Sequence, residues 1–288
     1  MKKIKALIFL SLIYLSAYSQ RNELGFFCGG SYYLGDINPA KQFKMIHPSG
    51  GFFYRYNFNP RFSFKLMGLY GSIESDDSQI KYKPERNLSF KSTITEVSSQ
   101  IELNFMPYVP GNMTYYFSPY IFTGFSTFFF NPKTEFNGKW YELRPLGTEG
   151  QGTSLYPGKD KYSLNSFAIP FGLGLKLNAN KYFSIGAEWG LRKTFTDYLD
   201  DVSTTYADPA ILSSENTPLA AELADRSVNS SGKDIESSLN VGLQRGNSQN
   251  KDWYSFFGVI LVFKIQNKKD DCPAYQKRTN YKEYKLYH

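Results

Sequence analysis

The chain has 288 residues, of which 41% are hydrophobic, so it is long enough to bury a sizeable core in a single domain. Aromatic residues make up 18% of the chain, and this aromatic-rich, glycine-rich composition favours β structure. The formal net charge is +7, but no basic helix or finger motif gathers the Lys and Arg residues, so we do not expect a nucleic-acid partner. A mean hydropathy of -0.42 leaves a membrane barrel possible, because alternating strands average out in hydropathy.

The N-terminus has the features of a secretory signal peptide. Lys2, Lys3 and Lys5 precede the apolar segment 6–15, and the small-x-small segment 17–19 precedes a cleavage point before residue 20. The apolar segment is too short to span a membrane, and a buried N-terminal helix is the alternative interpretation. We therefore predict a signal peptide over residues 1–19. An exported chain without a later apolar helix is soluble, lipid-anchored or a barrel.

Eight later segments alternate apolar and polar residues with the two-residue period of a β-strand. In segment 93–106, for example, Val97 and Ile101 lie on one face, and Glu96 and Glu102 lie on the other. The last segment alternates weakly, because both of its faces are apolar. The eight segments cover residues 23–34, 50–58, 61–72, 93–106, 119–130, 166–178, 183–193 and 253–265.

The face opposite the apolar one favours a barrel over a soluble sandwich. It consists mostly of Gly, Ser and Ala, which fit the crowded interior of a narrow barrel, whereas a sandwich exposes long charged side chains along its polar face. A soluble β-sandwich and a lipocalin-like barrel remain the alternatives. Charged residues on this face are expected to pair across the interior: Arg55, Lys65, Glu96, Glu102, Lys176, Glu188 and Arg192. Aromatic residues expected in interfacial girdles are Tyr56, Phe58, Tyr70, Trp189 and Trp253.

The connections between these segments alternate between shorter and longer, as in outer-membrane barrels. The longest, residues 194–251, contains a pattern that predicts a short helix near 209–225. We predict an all-β fold, an eight-stranded antiparallel transmembrane barrel over residues 20–266, with long extracellular loops and short periplasmic turns. A periplasmic tail would follow at 267–288, and both termini would lie in the periplasm. Side chains fill a barrel of this size, so its function is expected in the loops, rim or tail.

No residue pattern predicts a catalytic centre, a metal site or a cofactor site. The two histidines, His47 in the first long loop and His288 at the end of the chain, lack the spacing of a hydrolase or zinc motif. Asp197, Asp200 and Asp201 have oxygen ligands for a hard cation, but a solvated acidic loop is favoured. The glycines of segment 147–152 do not match a phosphate-binding loop.

The two cysteines have different predicted environments. Cys28 falls in mid-strand on the apolar face, and Cys272 lies beyond the last strand, so a bond between them is not expected. Cys272 is left as a free thiol or as the partner in an intermolecular disulfide. The tail is basic and rich in Tyr, which is typical either of a disordered terminus or of a segment that docks on an acidic partner. Its candidate partner-binding residues are Cys272, Pro273, Tyr275, Lys277 and Arg278.

Several segments together make the chain resemble the PorG family, an outer-membrane β-barrel component of the type IX secretion system. They are SYYLGDINP (31–39), GGFFYRYNFNPR (50–61), RPLGTEGQG (144–152), EWGLRKTFTDYLDDVS (188–203), RGNSQNKDWY (245–254) and CPAY (272–275). The resemblance implies a non-enzymatic part of a machine for protein export and gliding motility. It implies partners in the periplasmic ring of the PorK lipoprotein and PorN, called GldK and GldN in gliding bacteria.

From the resemblance and the barrel together, we expect a membrane anchor for that ring, in contact with outer-membrane lipid. Two alternatives are kept. One is a small outer-membrane barrel enzyme that acts on lipid or lipopolysaccharide, which would need a Ser close to His47 on the rim. The other is an adhesin-like barrel whose long loops bind external ligands.

Overall fold

The computed structural model describes residues 22–229 and 232–265, and these residues form one closed antiparallel β-barrel of eight strands. Around the barrel the order is β1-β2-β3-β4-β5-β8-β9-β10, and the pairing of β10 with β1 closes the ring. The predicted fold class is therefore confirmed. The strands are β1 (Asn22–Leu34), β2 (His47–Asn57), β3 (Phe62–Asp76), β4 (Ser89–Asn104), β5 (Phe117–Phe129), β6 (Pro132–Phe136), β7 (Lys139–Glu142), β8 (Asn165–Asn178), β9 (Phe183–Thr194) and β10 (Trp253–Lys264).

The two ends of the barrel differ in their connections. One end, called the turn end, has the links 58–61, 105–116 and 179–182, together with the start of β1 and the end of β10. The other, called the loop end, has the four long connections and the hairpin β6–β7. The loops contain helices α1 (Asp77–Ile80), α2 (Leu143–Leu146), α3 (Pro209–Ile211) and α4 (Pro218–Ala224), 3-10 turns at Pro84–Arg86 and Ser237–Asn240, and a π turn at Leu212–Asn216. The helix expected near 209–225 is present as two short helices, α3 and α4. The π turn Leu212–Asn216 and Thr217 lie between them.

Charged side chains fill the interior near the turn end, and they pair with one another as expected. Glu102 lies 2.9 Å from Arg55 Nε, 3.2 Å from Lys65 Nζ and 2.6 Å from Lys176 Nζ. Lys65 also lies 2.5 Å from Glu188, and Arg55 lies 3.3 Å from Glu23. These six side chains carry three positive and three negative charges and are almost completely buried, so the network is neutral as a whole.

The link 105–116 closes the turn end. Tyr108 projects from it into the barrel, where its side chain is buried and its hydroxyl lies 3.1 Å from Ser184 Oγ and 3.4 Å from Glu23 Oε1. Asn178 fastens the link by donating to the carbonyl oxygens of Val109 and Asn112 at 2.8 and 2.9 Å. The link 105–116 therefore blocks the turn end of the barrel, a role that its sequence did not indicate.

Near the loop end the interior is aromatic, which differs from the expected lining of small residues. Tyr33 packs edge-on against Phe90 at 4.8 Å between ring centroids, and Phe128 packs against Tyr254 at 5.1 Å. Tyr254 and Phe256 point inward on β10, while Val259 and Leu261 point outward. This apolar interior explains why the last strand alternates weakly: both of its faces are in apolar surroundings.

The outer wall is apolar, as the sequence predicts. Phe52 is 69% exposed, whereas the next residue, Phe53, is 1% exposed and points inward. Tyr32 departs from the pattern: it belongs to the outer face but is 0% exposed. The loop 35–46 folds back over the wall there, and Phe43 packs on Tyr32 at 5.0 Å. The predicted girdle residue Trp189 lies under the same loop, 5.8 Å from Phe43.

We predict that Glu102→Gln destabilises the barrel by about 3–5 kcal/mol, because it leaves three buried cations with too little opposing charge. Loss of the folded band on unboiled gels during urea titration would measure the change. Glu135→Gln, at an exposed hairpin position, is the matched control and should unfold as the unchanged protein does. Equal stability of Glu102→Gln and the control would contradict a role for the network in folding.

Candidate functional site: the buried polar loop cap

Polar side chains from all four long connections meet above the barrel and form a structure that we call the loop cap. It comprises the connections 35–46, 77–88, 130–164 and 195–252. Four of the segments that carry the family resemblance, 31–39, 144–152, 188–203 and 245–254, contribute buried residues to it. Segments far apart in the sequence therefore build one site, which closes the barrel at its loop end.

Tyr33 joins the barrel to this cap. Its hydroxyl lies 2.6 Å from Asp200 Oδ2 and 2.7 Å from Asp252 Oδ1. A phenol has one proton to donate, so it cannot satisfy two ionised carboxylates at once. Burial raises the pKa of both Asp200 and Asp252, and their mutual repulsion raises the pKa of Asp252 further. A proton on one of the two carboxyls would let that group donate to the phenol oxygen while the phenol donates to the other carboxylate.

Two arginines tie the connections together. Arg245 donates to Glu149 Oε1 at 3.1 Å and to the Ala224 carbonyl at 3.0 Å. Arg86 makes a paired contact with the Asp77 carboxylate at 2.7 and 2.8 Å, and it donates to the carbonyl oxygens of Arg245 at 2.9 Å and Asp36 at 3.0 Å. Charge-assisted bonds of this kind are strong in a buried site, so the two side chains hold all four connections in one arrangement.

Glu149 organises the turn that follows Ser203. Its carboxylate accepts from the Ser203 amide at 2.9 Å, from the Thr204 amide at 3.0 Å and from the Thr204 hydroxyl at 2.7 Å. Gly147 precedes it at φ +61, where an added Cβ would lie 2.6 Å from the Gln151 carbonyl oxygen. The RPLGTEGQG segment is therefore a tight turn that presents a buried carboxylate.

The acidic segment 197–201 was expected to be solvated, and this interpretation is wrong. Asp197, Asp200 and Asp201 are at most 3% exposed. Tyr162 donates to Asp201 at 2.7 Å, and Ser203 donates to Asp197 Oδ2 at 2.6 Å. Burial raises the pKa of Asp201 to about 6 and that of Asp197 to about 7.

Among the buried side chains of the loop cap, carboxyl groups outnumber cations, in keeping with the raised pKa values of Asp197, Asp200, Asp201 and Asp252. The buried acidic side chains are Asp77, Glu149, Asp197, Asp200, Asp201 and Asp252, whereas Arg86 and Arg245 are the buried arginines. In the part of the chain that the structure describes, no group of three or more His, Cys, Asp and Glu side chains has the geometry to hold a metal ion. Hydrogen bonds and ion pairs link the side chains of the cap to one another.

The other candidate residues lie outside this site. His47 is the first residue of β2, not a loop residue as expected, because the strand begins earlier than its alternation indicates. Its Nε2 lies 2.8 Å from Glu74 Oε2, and Glu74 lies 3.3 Å from Lys91 Nζ. Cys28 is exposed on the outer wall, as predicted. The predicted signal peptide, His288 and the tail residues Cys272, Pro273, Tyr275, Lys277 and Arg278 lie outside the described residues.

Comparisons with known proteins give the following likenesses. A family model described as a domain of unknown function (DUF6089) matches residues 2–143. No curated protein sequence matches the chain. Similar solved structures include the N-terminal β-barrel domain of Pseudomonas aeruginosa OprF, at 14% identity and a TM-score of 0.33, covering 84% of this chain and 98% of that one.

Two further solved structures are similar over a comparable share of the chain. Yersinia pestis Ail, the attachment invasion locus protein, is 11% identical with a TM-score of 0.38, covering 85% of this chain and 99% of that one. Neisserial surface protein A is 8% identical with a TM-score of 0.41, covering 84% and 96%. Because all three TM-scores are below 0.5, the fold assignment rests on the strand pairing within this chain and not on these likenesses. No helix within residues 22–229 and 232–265 is long and apolar enough to cross a membrane.

We predict that the loop cap loosens as the pH rises from 5 to 8. A carboxyl whose pKa is raised in the folded state stabilises the fold fully below its usual pKa of about 4, and this contribution is lost as the pH passes the raised value. Hydrogen exchange in residues 195–252, corrected for its intrinsic pH dependence, should therefore accelerate by roughly tenfold, the effect of ~1.4 kcal/mol.

Asp197→Asn should reduce this pH dependence, because the amide cannot lose a proton but can still accept from Ser203. Asp160→Asn, at an exposed position, is the control and should leave the pH dependence unchanged. Exchange that is equal at both pH values, or faster at pH 5, would show that the buried carboxyls do not hold protons in the cap.

Proposed function

We propose that this protein is a non-enzymatic outer-membrane β-barrel that anchors the periplasmic ring of a type IX secretion and gliding machine to the membrane. The ring proteins would be a PorK/GldK-like lipoprotein and a PorN/GldN-like protein. The barrel supplies the membrane attachment, and the chain on its turn-end side supplies the contact with the ring.

The observation that carries this proposal is that the barrel is filled and closed at both ends. Tyr108 lies in the turn end, the network around Glu102 fills the interior above it, and the loop cap covers the loop end. Within residues 22–229 and 232–265, side chains fill the barrel interior, and an eight-stranded barrel filled in this way is too narrow to pass a protein substrate. A closed barrel in an export machine is suited to holding other components in place.

The outer wall supports insertion in a membrane. Phe26, Phe52, Val97, Ile101 and Phe125 are each more than half exposed around the barrel. Exposed apolar side chains over a whole wall are unfavourable in water, whereas they match the apolar band of an outer-membrane barrel. The alternation of short links with long loops supports a periplasmic turn end, because outer-membrane barrels have short periplasmic turns and long outer loops.

The tail after β10 is the proposed contact with the ring. Because β10 ends at Lys264 at the turn end, the chain leaves the barrel on the proposed periplasmic side. Lys277 and Arg278 would steer the tail toward acidic surface, and Tyr275 would supply contact area at low entropic cost. Cys272 would form an intermolecular disulfide in the oxidising envelope.

Affinity purification of the full-length tagged protein from outer membranes in mild detergent tests this proposal. The unchanged protein should recover the ring proteins, and a non-reducing gel should show a larger band that Cys272→Ser abolishes. The double variant Lys277→Glu/Arg278→Glu should lower ring recovery several-fold at low salt, because steering by exposed charges is screened by salt.

Lys81→Glu/Lys83→Glu, a double charge reversal at exposed positions of the loop end, is the matched control and should recover the ring normally. Loss of recovery in this control alone would place the contact at the opposite end of the barrel. If no ring protein accompanies a barrel that fractionates with the outer membrane, the anchoring role is wrong.

A further inference from the structure

The outer wall contains an apolar groove, which we call the wall groove. It crosses strands β10, β1, β2, β3 and β4 and has a volume of about 620 Å³, within the range typical of small-molecule sites. Its lining residues are Leu24, Gly25, Phe26, Phe52, Phe53, Tyr54, Leu66, Met67, Gly68, Val97 and Phe263.

A missing side chain creates space in the groove. Gly68 occupies an outward position of β3, between Leu66 and Tyr70, and pairs with Phe52 on β2 and Val97 on β4. Phe52 and Val97 are each more than half exposed, so side chains project from the wall on both sides of Gly68. Gly25, Phe53 and Met67 belong to the inner face but also line the groove, which shows that it reaches the backbone of the wall.

The path of the groove fits a chain that enters from the turn end. Phe263 is next to the last residue of β10, and Leu24 is close to the first residue of β1, so one end of the groove lies near the rim. Val97 lies near the middle of β4, so the other end lies partway up the wall. A lipid whose headgroup sits at the turn-end interface would send its acyl chain along this direction.

Water is a poor occupant of such a site. An ordered water needs roughly two to four polar partners, whereas the lining side chains are apolar apart from the phenol of Tyr54. Inside a bilayer the groove is continuous with the lipid-facing wall, so hydrocarbon fills it. An acyl chain that lies in a preformed groove gains more contact area than one on a smooth wall.

We infer that the wall groove is a binding site for one acyl chain of a glycerophospholipid from the leaflet at the turn end. This inference rests on the proposed outer-membrane location, in which that leaflet faces the periplasm. It adds a lipid site to the barrel, independent of any contact with ring proteins.

Native mass spectrometry of the full-length protein, extracted from outer membranes in mild detergent, tests the inference. The unchanged protein should retain one phospholipid after extensive detergent washing. Gly68→Leu should lower the retained phospholipid at least about tenfold, because the new side chain fills the groove. A Cβ on Gly68 would lie 3.5 Å from the nearest Phe52 ring atom, an ordinary contact, so the backbone accepts a side chain at this position.

Ala187→Leu is the matched control, since it adds apolar bulk at an exposed position of β9 away from the groove, and it should retain lipid normally. Unboiled-gel mobility confirms that each variant is folded, and Gly68→Ala should show an intermediate loss.

Equal phospholipid retention by Gly68→Leu and the unchanged protein would overturn the inference. Retention of lipopolysaccharide, of detergent only or of a second copy of the chain would also overturn it. Each of these results leaves the outer-membrane location intact, whereas absence of the unchanged protein from the outer-membrane fraction would refute the proposed location itself.

Discussion

Charge neutrality in a space that excludes water is the constraint on which this structure depends. An isolated ion transferred to the barrel interior would lose several kcal/mol of solvation, and only close partners of opposite sign restore it. Near the turn end the charges balance, because three carboxylates, Glu23, Glu102 and Glu188, face three cations, Arg55, Lys65 and Lys176. In the loop cap carboxyl groups outnumber cations among the buried side chains, and burial raises the pKa of several of these carboxyls. The same requirement is thus met by ion pairs at one end and by ion pairs together with raised carboxyl pKa values at the other.

Packing of the interior follows from this arrangement. Aromatic rings surround the ions and shield them: Lys176 Nζ lies 4.5 Å from the Tyr120 ring centroid, and Lys65 Nζ lies 4.8 Å from that of Phe122. Rings of this size need space inside a narrow barrel. An added Cβ on Gly174 would lie 2.5 Å from the Tyr120 ring, so glycine at this position makes room for the aromatic side chain. The small residues on the inner face are therefore required by the large residues that cross it.

The sequence predicted the barrel because strand faces are local in origin. Val97 and Glu96 are adjacent, and their apolar and charged side chains indicate opposite faces of the strand. Because side chains alternate with a period of two, the same assignment applies along the whole strand. Residues in the loop cap could not be assigned in this way. Asp201 is buried because Tyr162 reaches it from the connection 130–164 and Arg245 reaches it from a distant part of the same connection, and Arg245 pairs with Glu149 across 96 residues of sequence. Segments 144–152 and 245–254 contain Glu149 and Arg245, but a segment does not show which residues it will contact in the fold. Tyr108 was missed for the same reason.

A barrel whose interior is filled, whose buried charges are balanced and whose two ends are covered should not conduct ions. Conductance of the purified full-length protein in planar lipid bilayers tests it most directly. We expect no sustained current above the level of protein-free bilayers, at either polarity. A stable open state with stepwise currents that persist after repeated purification would show that the interior or the loop cap opens, and would contradict the account.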